Sequence, residues 1–169
     1  MLKEQIQKDI NEAAKNKEEL RLQVLRMLSA AILNREKEKR YKISKEKQGA
    51  PEEDLARASW LIEEEVLETL FSEVKKRKEA IIEFKKGNRE DLVKKEEMEL
   101  EILRKYLPEQ LSEEEIKKIA KEAIAKVAAK EPKDIGRVIA ELMPRIKGKA
   151  EGGEASRIIK ELLASPHHD

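Results

Sequence analysis

Three cations, Arg145, Lys147 and Lys149, stand within five residues of one another in the stretch IGRVIAELMPRIKGKA, residues 135–150, which also carries Arg137. Guanidinium and ammonium groups at this density are chemistry for phosphate oxygens. Gly152 and Gly153 follow at the start of another helical pattern, where free backbone N–H groups would assist an anion. The plainer reading is a solvated turn whose glycine and proline only set geometry. A second basic segment, Arg35 to Lys47, holds seven cations against three Glu, with Tyr41 inside it as a residue able to stack on a base.

Candidates for catalysis are sparse. The sequence contains no G-x-x-x-x-G-K-[ST] loop to cradle nucleotide phosphates. Both histidines sit in the terminal SPHHD, so no Ser–His–Asp set can be assembled around them. His167, His168 and Asp169 form a possible adventitious metal cluster, but a frayed terminus accounts for them better. The glutamate runs Glu63–Glu65 and Glu113–Glu115 suit solvated faces and first-turn partners of a helix dipole. No catalytic residue, metal site or cofactor is expected.

The elements that must hold the basic turn are helices. Gly136 near the start of the stretch is costly inside a helix, about 1 kcal/mol against Ala, and the expected return is close approach by a neighbouring helix. Pro144 lacks an N–H and clashes with the carbonyl of Ala140, so the helix should bend or end within a turn. Gly148 then permits a sharp exit. Together these fix a turn that presents Arg145, Lys147 and Lys149.

Apolar spacings of three and four recur along the whole chain and predict an all-α fold. Leu2, Ile6 and Ile10 make one stripe; Leu20, Val24, Leu25, Leu28 and Ile32 make a stronger one. Residues 34–51 lose the apolar face, as the solvated end of that second helix or as a mobile connection. From Pro51 towards Gly87 the core face reads Ile62, Val66, Leu67, Leu70, Phe71, Val74 and Ile81, either as one helix or with a break near Ser59–Trp60. Trp60 is expected in the core or at a domain contact. Asn88 is placed as the cap of a helix with stripe Leu92, Leu100, Leu103 and Leu107.

YLPEQLSEEEI is the sharpest punctuation. Pro108 disfavours helix at Leu107, and Ser112 with Glu115 makes an S-x-x-E capping box that opens a new helix. The domain boundary belongs there, giving an N-terminal helical domain over 1–107 and a three-helix domain over 112–169. The three helices of the second domain bury Ile116, Ala120 and Ile124; Val138, Leu142 and Ile146, capped by Asp134; and Ala155, Ile158, Ile159 and Leu163.

The segment KDIGRVIAELMPRIKGKAEGGEASRIIKELL resembles the C-terminal tail domain of the GatB/YqeY family, with its K-D-x-G, P-x-x-K-G-x-A and final K-x-L-L features. The N-terminal segments LRMLSAAILNREKEKR and EVKKRKEAIIEFKKGNREDLVKKEEMELEILRKYLPEQLSEEEI are similar to a free-standing YqeY-like protein. Two departures stand out. Glu151 occupies a position where the family usually has Asp, which should displace the last helix start to Gly152 or Gly153. PEEDLARASWLIEEE is longer than the short capped turn expected there.

The resemblance implies a three-helix tail like that of GatB, the subunit of the glutamine-dependent tRNA amidotransferase whose tail is linked to tRNA binding. It implies partners among tRNA and tRNA-modifying or aminoacylating enzymes. The amidotransferase active sites lie in domains absent here, so carbon–nitrogen ligase activity with glutamine as amide donor attaches to the family and to no residue of this chain. A tRNA-associated binding module is the leading expectation, with an RNA-independent protein-interaction scaffold as the alternative and an amide-forming enzyme as the third.

Composition narrows the rest. The net charge of +1 argues against a bulk polyanion binder, yet the charge is uneven: residues 1–50 hold 13 Lys/Arg against 8 Asp/Glu, and residues 51–111 hold 12 against 17. Absence of cysteine excludes disulfides and thiolate metal sites. Apolar runs fall far short of the roughly 20 residues of a membrane span, and MLKEQIQKDI lacks a signal-peptide core, so a soluble cytoplasmic protein without membrane partners is expected.

Overall fold

The computed structural model describes residues 1–164; His167, His168 and Asp169 lie outside the described residues. Regular structure among the described residues is helical throughout, with eight α-helices and one 3-10 turn. The chain divides into two compact units, Met1–Leu107 and Pro108–Asp169.

In the first unit, α1 (Leu2–Lys15) and α2 (Glu19–Glu46) form a hairpin, followed by the short α3 (Glu52–Ala58), then α4 (Glu63–Lys86) and α5 (Glu90–Arg104). The apolar stripes converge on one core: Ile6 and Ile10; Val24, Leu25, Leu28 and Ile32; Val66, Leu70 and Val74; Leu100 and Leu103. Lys17, in the left-handed region at φ 58°, reverses the chain between α1 and α2. At 28 residues α2 is about 42 Å long, and its last buried residue is Glu36. Residues 37–46 are therefore the solvated end of a continuous helix, which decides between the two readings of the basic segment.

Residues 59–62 break the helical stretch between α3 and α4. Ile62, expected on the core face, is instead the residue before α4 and is 60% exposed. Trp60 is likewise outside the core at 64% exposed. The reason is local: helical phase is lost after Ser59, so Leu61 packs on the core while its two neighbours stay exposed.

Asn88 closes α4 rather than opening α5. Its φ is 53°, and the Arg89 N–H reaches back to the Phe84 carbonyl at 2.9 Å, a left-handed helix ending that Asn tolerates better than most residues. Arg89 precedes α5 and forks onto Asp91 at 2.8 and 3.0 Å, which holds that carboxyl at about 2. Deeper in the unit, Arg77 lies buried between Glu99 at 3.1 Å and Glu73 at 3.7 Å, a pairing that a charge so far from water requires.

In the second unit, α6 (Glu113–Val127), the 3-10 turn Pro132–Asp134, α7 (Ile135–Ile146) and α8 (Gly152–Ala164) follow in order. The three α-helices pack pairwise around Ile116, Ala120, Ile124, Val138, Leu142, Ile146, Ile158 and Ile159. Ser112 caps α6 reciprocally: its Oγ accepts the Glu115 N–H at 3.3 Å, and Glu115 accepts the Ser112 N–H at 2.8 Å. Ala128 ends α6 in the left-handed region at φ 52°. The last helix begins at Gly152, one residue beyond Glu151.

Candidate nucleic-acid interface

Pro144 lies inside α7, and the helix ends two residues later at Ile146. Its missing N–H leaves the Ala140 carbonyl without a helical donor, and Ala140 is exposed, so water can replace it. Gly148 takes φ 81°, a conformation that side-chain-bearing residues rarely adopt. The turn is then pinned from the other end of the unit. The Leu111 N–H donates to the Lys149 carbonyl at 2.8 Å, and the Gln110 amide donates to the Gly148 carbonyl at 3.4 Å. Residues 148 and 149 are thus held through their carbonyls.

The four cations differ in their engagement. Arg145 crosses to α6 and pairs with Glu122 at 2.5 Å, which holds that carboxyl below the usual range. Arg137 donates to the Val127 carbonyl at 2.7 Å, closing the end of α6, and lies 3.6 Å from Asp134. Lys149 is exposed and has no ion-pair partner among the described residues. Lys147 is exposed as well. The turn therefore presents Lys147 and Lys149, while Arg137 and Arg145 also tie α7 to α6.

Gly136 does not serve close packing. A Cβ placed there meets nothing within 4 Å, and the residue is exposed in the first turn of α7. The rigidity of the site comes from Pro144, Gly148 and the Leu111 contact instead. Asp134 helps from the front of α7, where its carboxylate accepts the Lys130 and Glu131 N–H groups at 3.0 and 3.2 Å and is held below the usual range by them.

The N-terminal basic segment sorts itself by helix face. Arg35 pairs with Glu68, Lys39 with Glu65 and Arg40 with Glu52. Lys37, Lys42 and Lys47 are exposed without ion-pair partners among the described residues. Tyr41 is 63% exposed, with the Lys45 ammonium 5.1 Å from its ring centroid.

A cleft of about 690 Å³ in the first unit went unread in the sequence. Its polar centre is Asp9, whose carboxylate accepts from the Tyr106 hydroxyl at 2.6 Å and the Gln5 amide at 3.1 Å, with Arg21 at 3.6 Å. Burial pulls the Asp9 carboxyl upward, but Tyr106, Gln5 and Arg21 together leave it below the usual range. Burial and the same contact push the Tyr106 hydroxyl up to about 12. At neutral pH one group stays ionised and the other protonated, so neither is poised to exchange a proton. The pair is 97 residues apart in sequence, a separation no local pattern can reveal.

Among the described residues, no cluster of three His, Cys, Asp or Glu comes together as a metal cage would require, and no helix is long and apolar enough to cross a membrane.

A family model described as Yqey-like protein matches residues 3–163, a span that takes in both units. The chain belongs to this family. An uncharacterized protein of Schizosaccharomyces pombe is 48% identical to it over 48 residues, 28% of this chain and 39% of that relative. The Yqey-like match thus extends from α1 to α8, well beyond the segment shared with the yeast protein.

Proposed function

We propose that this Yqey-like protein is a tRNA-associated binding module working alongside glutamine-dependent tRNA amidation without performing it. The observation that carries this reading is the pinned turn after α7. Pro144, Gly148 and the Leu111–Lys149 contact hold Lys147 and Lys149 outward in the segment that resembles the GatB tail. A rigid turn offering cations loses little ordering entropy when phosphates arrive. Membership of the Yqey-like family over residues 3–163 supports the resemblance across both units. The role proposed is one of contact, in keeping with a basic turn as the candidate site.

The test is fluorescence anisotropy with unmodified tRNA over a salt series, joined to a pull-down from native lysate with and without RNase. Binding that weakens linearly in log salt supports the reading, since phosphate contacts release counterions. No tRNA binding at low salt, with a protein partner retained after RNase, would replace it by the RNA-independent scaffold.

A further inference from the structure

The junction between α3 and α4 displays two apolar side chains that the fold does not use. Trp60 is 64% exposed and Ile62 is 60% exposed. Leu61 between them packs on the core. Trp60 and Ile62 flank it, both left in water.

Their presentation is rigid. The Leu61 N–H donates to the buried Glu36 carboxylate at 3.3 Å, and Lys39 donates to the Trp60 carbonyl at 3.3 Å. On the far side the Ile62 N–H donates to Glu65 at 2.9 Å, and before it Ser59 is fully buried with its hydroxyl on the Ala56 carbonyl at 2.8 Å. The backbone is fastened at three successive residues, Trp60 to Ile62, while the two large side chains stay in water.

Ile62 also occupies the N-cap position of α4. Ser, Thr, Asp and Asn are preferred there, because a side-chain oxygen can accept an otherwise unpaired helical N–H. Glu65 already supplies its half of a capping box; isoleucine has no acceptor to supply the other half. Ser112 and Glu115 complete the same box at the start of α6. An exposed isoleucine at this position forgoes stability and gains the fold nothing, which points to a contact outside the chain.

The surroundings decide what that contact is. Residues 52–65 contain Glu52, Glu53, Asp54, Glu63, Glu64 and Glu65 against the single cation Arg57. Lys39 and Arg40 pair with Glu65 and Glu52 and Glu63 accepts the Leu2 N–H, yet the segment that rims the apolar pair stays net acidic, with six carboxylates against Arg57, Lys39 and Arg40. Such a surface repels phosphates and attracts cations. We infer that the α3–α4 junction is a docking site for a basic amphipathic helix of a protein partner, its apolar side inserted against Trp60 and Ile62 and its cations on the acidic rim. A buried aromatic anchor inside a polar rim is the usual anatomy of such contacts. The inference stands apart from the tRNA reading.

Trp60 is the chain's only tryptophan, so its emission reports on this site alone. The full chain is titrated with a labelled synthetic helix of leucine and lysine, about 18 residues long so that it can hold helical structure. Its leucine–glutamate counterpart and an oligouridylate are run in parallel. Saturable anisotropy with a shift of Trp60 emission to shorter wavelength is expected for the leucine–lysine helix only. Trp60→Ala should weaken binding about tenfold or more by anisotropy. Ile62→Ser should weaken it while raising the unfolding midpoint, because serine completes the cap. Unchanged emission at saturation, equal binding of the glutamate helix or the oligouridylate, or wild-type affinity in Trp60→Ala overturns the proposal. An emission shift that tracks the protein's own concentration without peptide also overturns it, in favour of a second copy.

Discussion

Arg145 on α7 and Glu122 on α6 meet at 2.5 Å across the helix pair, so one cation of the basic turn is also a fastening between helices. Arg137 fastens the same two helices through the Val127 carbonyl. The positive charge of the tail therefore comes in two kinds. Lys149 is exposed with no ion-pair partner among the described residues, whereas the arginines brace the helices that carry the turn.

Exchange of Arg145, Lys147 and Lys149 for Gln should leave the unfolding midpoint nearly unchanged, because ion pairs this exposed contribute little. If tRNA lies on the turn, affinity should fall and the log–log salt slope should flatten by up to about 3. Lys149→Gln alone should account for more of the change than Arg145→Gln alone, since Arg145 has a carboxylate partner and Lys149 has no ion-pair partner among the described residues. The same exchange at Lys37, Lys39 and Lys42 measures the N-terminal segment. Wild-type affinity and slope in the tail variants, with tRNA binding otherwise intact, would exclude the turn.

Gly136→Ala should stabilise the second unit by about 0.5 kcal/mol, since the site is open, helical and free of positive φ. Ala128→Gly should also stabilise, by up to about 1 kcal/mol, because Ala128 holds φ 52°. Denaturant midpoints read both. A destabilised Gly136→Ala would restore the close-packing role that open space at this position argues against.

These two residues also mark how far the sequence could be read. The stripes through Val24, Leu28 and Ile32 and through Val138, Leu142 and Ile146 were legible because helical periodicity is local, and the Ser112–Glu115 box because capping spans one turn. Trp60 and Ile62 lie outside the core because the helix breaks at residues 59–62, the alternative that apolar spacing alone leaves open, and the break resets the helical phase. Asn88 was misassigned because capping a start and closing an end draw on the same residue type. The turn cations were visible as a group, but which of them braces α6 depends on the packing of α7, and the Asp9–Tyr106 contact depends on tertiary structure alone.

Limited trypsin digestion should cut first after Lys47, in the exposed connection that holds Gly49 at φ 83°. Lys37, Lys42 and Lys45 lie within α2 and should resist longer. Mass spectrometry of the earliest fragments checks the order. First cuts at Lys37 or Lys42 would show that the solvated end of α2 frays in solution.

Purified chain given glutamine, ATP and misacylated tRNA should yield no amidated product, as expected of a contact module. Turnover that co-purifies with the wild-type chain and disappears with a point substitution would overturn the non-catalytic role.

Asp9 and Tyr106 give a pH signature. The Asp9 carboxyl is held below its ordinary 3.8, so its ionised form is favoured in the fold. That contribution is present above 3.8 and is lost as pH falls through the lower folded value. Tyr106 runs the other way: raised from 10.0 to about 12, it contributes below 10 and loses that contribution as pH rises towards 12. Tyr106→Phe removes the donor at 2.6 Å and should cost about 1–2 kcal/mol at neutral pH. Urea midpoints from pH 2 to 6 should show the gap between wild type and Tyr106→Phe constant well above the ordinary 3.8 and narrowing as pH falls below it. A gap independent of pH across that range would mean that Tyr106 acts by packing alone, and that the hydroxyl does not hold the Asp9 charge.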